Sequence, residues 1–150
     1  MTKIVLILAF LSLSVAARET THYFQCTESK TGNEYFVSRI TDDYVDYDSF
    51  YLTAVNDDYY GYNIVNLDNG KYYKTYEKET NELFELYEKE YQGTTGLGPD
   101  GMTLPAPASE ISKFTIDKYT GEAKLVRKST YMFITFRKET TKFENCFDVR

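Results

Sequence analysis

Two cysteines, one histidine, and a crowd of carboxylates and phenols are the side chains here that could do chemistry. A cysteine nucleophile needs a free thiol with a histidine base beside it, and the one histidine, His22, stands alone before an aromatic segment. Serine hydrolysis would draw on the same histidine, and no Gly-x-Ser-x-Gly elbow exists. Zinc lacks ligands, and a phosphate-cradling glycine loop followed by lysine is absent. The two cysteines, Cys26 and Cys146, are most simply one disulfide if the chain leaves the reducing cell interior. Such a bridge closes about 120 residues, contributes up to roughly 4–5 kcal/mol, and requires the first and last strands to meet. Free or intermolecular thiols are the alternative.

The carboxylates are harder to narrow. A glycosidase-like pair could be drawn from Asp46, Asp48, Asp57, Asp58 or Asp117, but among 23 acidic residues some pair always looks suitable, and sequence spacing does not set separation in space. Calcium could use the oxygens of Asp42, Asp43, Asp46 and Asp48, or of Asn56, Asp57 and Asp58. Neither run matches the twelve-residue calcium loop, and turns are acidic for local hydrogen-bonding reasons. No enzyme, metal or cofactor is therefore expected. The remaining candidate is a binding surface, because tyrosine offers large contact area at low entropy cost and aspartate pairs with cations across an interface. Asp57, Asp58, Tyr59, Tyr60 and Tyr62 form its centre. Strand alternation supplies the competing reading, in which alternate tyrosines simply face the core.

The setting for that surface comes from residues 1–17. Lys3, the apolar run Ile4 to Leu11, and Ser14-Val15-Ala16-Ala17 read as a signal peptide cut after Ala17, and the run is too short to span a bilayer. Residues 18–150 are then one secreted or periplasmic domain. Loss of Lys3 moves the net charge from −6 to about −7. A field of that sign argues against nucleic acid and membrane partners and favours a cationic protein.

Strand signals dominate the rest of the chain. With 15 Tyr and 10 Phe and no Trp, much of the apolar area is aromatic, which suits the faces and rims of a sheet. Residues 22–27 and 34–40 predict a hairpin about Gly32, and 44–47 and 50–55 predict short strands separated by Asp48-Ser49. Asp68-Asn69-Gly70 predicts a tight hairpin between 59–67 and 71–76. Gly121 marks a bulged turn between 114–117 and 122–126, followed by a strand over 131–137 and a last one carrying Cys146. Residues 81–92 fit a strand opposite Tyr72 to Tyr76, with an amphipathic helix as the alternative. Residues 93–109 hold four of the eight glycines and all three prolines, which predicts a long irregular loop.

The expected fold is a single antiparallel β-barrel, or barrel-like sandwich, of about eight strands with its ends joined by a disulfide. The expected function is that of an exported, non-catalytic binding module for a cationic protein, inhibition of a secreted enzyme being one form of this. The alternative is a carrier of a small apolar ligand in a barrel cavity.

Overall fold

The structure, a computed structural model, describes residues 18–67, 73–92, 96–97, 103–104, 108–131 and 134–150. The leader-like segment and the Asp68-Asn69-Gly70 turn lie outside those residues. Eleven strands and no helix are found among the described residues: β1 (Glu19–Glu28), β2 (Glu34–Asp42), β3 (Tyr47–Ala54), β4 (Asp57–Asn66), β5 (Tyr73–Glu79), β6 (Leu83–Gln92), β7 (Gly96–Leu97), β8 (Thr103–Leu104), β9 (Ala108–Asp117), β10 (Glu122–Tyr131) and β11 (Ile134–Asp148). Within the 81–92 segment, Leu83–Gln92 is thus strand and not helix. Phe84 and Leu86 of β6 lie opposite Ile116 and Phe114 of β9, and all four are fully buried. Packing on one face, with pairing on both edges, outweighs the helical reading.

Nine strands form one sheet in the order β4-β3-β2-β1-β11-β10-β9-β6-β5, every neighbouring pair antiparallel. The sheet is open, which corrects the expected closed barrel of eight strands. Parity explains why: across nine alternating strands the two edges, β4 and β5, run in the same direction and cannot complete an antiparallel ring. The predicted Asn-Gly hairpin fails for the same reason, since a tight turn joins antiparallel neighbours. β4 and β5, consecutive in the chain, are opposite edges of the sheet.

Two local expectations are also revised. Residues 43–46 turn rather than extend, with the Asp42 carboxylate accepting from the Tyr44 amide at 3.0 Å and Asp46 at φ 51°. Asp48 and Ser49 therefore fall inside β3. The Gly/Pro-rich stretch is not wholly irregular: β7 and β8 pair as a small second sheet, and β9 begins at Ala108.

The expected disulfide is present. Cys26 on β1 and Cys146 on the adjoining β11 are bonded, with Cα atoms 4.1 Å apart. β11 bulges there, Asn145 adopting φ 53°, and the Cys146 amide donates to the Gly121 carbonyl at 2.8 Å. Gly121 itself has φ +70°, and a Cβ on it would stand 3.1 Å from the Cys146 carbonyl oxygen. Glycine is required there by both conformation and space.

The core fills the half of the interior nearest this bridge. Phe84 is its hub, with ring centroids 5.0 Å from Phe24 and 5.9 Å from Phe50, while Phe114 and Phe143 meet edge to face at 5.9 Å. Side chains hold the curled sheet where backbone bonds do not. Arg39 of β2 makes a two-pronged bond to Asp48 (2.9 and 2.7 Å) and reaches Glu77 on the β5 edge at 3.8 Å. Arg150 lies over the Tyr23 and Phe24 rings and pairs with Glu79 and Asp148, and Lys118 also meets Glu79 at 2.6 Å. These cations hold the Glu79 and Asp148 carboxyls down to about 2, whereas burial pushes Glu77 above its usual range.

Candidate functional site

The inner face of β6, β9, β10 and β11 changes character half-way along. One cross-strand row, Leu86, Phe114, Leu125 and Thr141, closes the apolar core. Two residues farther from the 117–122 turn, the same side of the same strands presents Glu88, Ser112, Arg127 and Glu139 as direct register partners. The next row is Glu110, Ser129 and Arg137. Period-two alternation dictates this placement, because the inward positions of a strand continue inward whatever residue occupies them.

These two rows line a cavity of about 230 Å³, together with Asn63 and Ile64 of β4 and the intervening Ile111 and Lys128. Arg127 spans it, its guanidinium donating to the Asn63 carbonyl and lying 5.5 Å from the Tyr62 ring centroid. The edge strand is thereby tied to the opposite wall. Ser129 donates to Glu110 at 3.3 Å, and Arg137 donates twice to Glu139, at 3.1 and 2.7 Å, which raises the Arg137 pKa further. Among the described residues, two side-chain hydroxyls are buried without a hydrogen-bond partner: Ser112 Oγ in the first polar row, and the phenol of Tyr131, the next position after Ser129 on that side of β10. A buried hydroxyl lacking a partner is costly unless water or a ligand supplies one.

The arrangement offers cations, carboxylates and hydroxyls side by side in a space the size of several water molecules. No histidine or cysteine lines it. His22 instead approaches Ser38 Oγ at 2.7 Å and stacks on Phe36, and Ser38 is fully buried, so this contact leaves no hydroxyl open to a substrate. No group of three or more metal-ligating side chains occurs among the described residues.

The sequence-predicted surface is divided. Asp57 is exposed at the start of β4, whereas Tyr62 is half-buried against Tyr35 (centroids 5.9 Å) and beneath Arg127. The side chains of Asp58, Tyr59 and Tyr60 lie outside the described residues. Of the aspartates weighed for calcium or catalysis, Asp48 is spent on Arg39, and Asp117 accepts from the Tyr119 and Thr120 amides of its own turn at 2.9 and 3.0 Å.

The polar rows went unread in the sequence. Each strand carries the signal, as in Phe84-x-Leu86-x-Glu88 and Ala123-x-Leu125-x-Arg127-x-Ser129, but only the pairing register shows that the changes coincide. No protein family, curated protein or solved structure matches this chain.

Proposed function

We propose that this chain is an exported, non-catalytic binding protein that holds a small polar solute of mixed charge within the curl of its sheet. The observation that carries the reading is the pair of aligned polar rows where the inward alternation would otherwise continue the apolar core. Arg127, Arg137, Glu110 and Glu139 have protein partners in the free molecule, and a solute bearing both a cationic and an anionic group would exchange for some of these while giving the buried Ser112 hydroxyl the partner it lacks. The disulfide is in keeping with an oxidising, exported location.

Support for an apolar ligand is weaker, since phenylalanine rings 5.0 to 5.9 Å apart occupy the apolar half of the interior. A cationic protein meeting Asp57, Asp58, Tyr59, Tyr60 and Tyr62 loses one member of its surface to the inward setting of Tyr62.

Titration of the ¹⁵N-labelled, oxidised protein with free arginine, free glutamate and decanoate tests the reading. Saturable shifts at the amides of Ser112 and Arg127 with either amino acid, abolished by Arg127→Met with Glu88→Gln, are expected. Equal or larger responses to decanoate, or no response to either amino acid, would reject it.

A further inference from the structure

The outer face of the β10–β11 hairpin carries a charge opposite to that of the whole chain. Because Ala123, Leu125 and Phe143 point inward and are buried, the alternate residues Lys124, Lys128, Lys138 and Lys142 point outward. Their register is direct, Lys124 opposite Lys142 and Lys128 opposite Lys138. The outward positions between them are Val126 and Thr140, while Glu122 and Glu144 occupy the next outward positions beyond Lys124 and Lys142, at the turn end of the patch. None of the four lysines forms an ion pair among the described residues. In a chain with 23 acidic and 17 basic residues, carboxylate partners were abundant. Like charges directly opposite one another are destabilising, and the Lys128–Lys138 pair, which has no carboxylate at the neighbouring outward positions of either strand, would be relieved by a bound anion.

We propose that this face binds a linear sulfated polysaccharide. Facing lysines stand about 5 Å apart, and the two pairs are about 13 Å apart along the strands, so each pair forms a pincer for one anionic group on an extended chain. Lysine supplies compact point charges suited to sulfate, and Thr140 offers a hydroxyl between the pincers. The patch has no aromatic ring on which a base could stack, which disfavours single-stranded nucleic acid. A duplex or an anionic bilayer would bring a broad negative surface against a protein of net charge −6, whereas a narrow flexible chain follows the lysines alone.

Heparin affinity of the oxidised protein, measured across a salt series, tests this. Lys128→Gln with Lys138→Gln, and Lys124→Gln with Lys142→Gln, are each expected to weaken heparin binding about tenfold and to lower the slope of log affinity against log salt by about two. Arg18→Gln with Lys78→Gln removes the same charge elsewhere and is expected to change affinity less than twofold. Thermal unfolding of the hairpin variants at unchanged or higher temperature, as relief of repulsion requires, shows that lost binding is not lost folding. Failure of the wild type to bind heparin at low salt, or equal losses in the Arg18/Lys78 variant, would overturn the site. Stronger competition by oligo-thymidylate or by phosphatidylserine vesicles would overturn the polysaccharide assignment.

Discussion

Replacing Gly121 with alanine measures how closely the β9–β10 turn is seated on the disulfide-bearing bulge. Gly121 and Gly32 both adopt positive φ, +70° and +74°. An added Cβ costs about 1 kcal/mol at either position for the left-handed backbone alone. Around Gly32 nothing lies within 4 Å of the added carbon, so the cost ends there. At Gly121 the Cβ meets the Cys146 carbonyl oxygen at 3.1 Å, and the Gly121 carbonyl accepts the Cys146 amide at 2.8 Å. The turn cannot back away without losing that bond, and this overpacking adds about 1–2 kcal/mol. Gly121→Ala should thus destabilise by about 2–3 kcal/mol against about 1 kcal/mol for Gly32→Ala. With a urea dependence of about 2 kcal/mol per molar, the unfolding midpoint should fall by about 1 M or slightly more for the first and about 0.5 M for the second. Equal midpoint shifts, at unchanged slope, would refute the close seating of the turn on Cys146.

Three further outcomes are expected. Cys26→Ser with Cys146→Ser should cost about 4 kcal/mol, read as a urea midpoint lower by about 2 M, because the bond restrains a 120-residue separation. Arg150→Met should destabilise by about 1 kcal/mol near neutrality after allowance for solvent screening. Since Glu79 and Asp148 are held at about 2, their contribution is complete above the ordinary carboxylate range near 4 and fades as the pH falls toward 2. The gap between variant and wild type should therefore close over that window in urea titrations, and a pH-independent gap would contradict the pairing. Tyr131→Phe removes a buried hydroxyl that has no partner, and the free protein should be unchanged or stabilised by up to about 1 kcal/mol by calorimetry. A clear loss of stability would show that the phenol is engaged.

What the sequence determined on its own was local. Alternating aromatic and β-branched residues specify strands, Gly32 and Gly121 mark turns that need positive φ, and an isolated cysteine pair points to one bridge. Those signals act over a few residues, or through a covalent bond, and so can be read without the fold. The Asn69-Gly70 dipeptide shows the limit, since a turn signal does not say which strands lie beside each other. Only the tertiary structure decided that β4 and β5 are opposite edges, through the direction imposed by seven intervening strands. The same register gathered Glu88, Ser112, Arg127 and Glu139 into one row, and Lys124, Lys142, Lys128 and Lys138 into facing pairs. Alternation assigns each residue to a face of its own strand, but the residues of one row on that face, such as Glu88 and Glu139, come from strands far apart in the chain. Chemistry made from such neighbours depends on pairing energies summed over the whole sheet, which no local stretch of sequence contains.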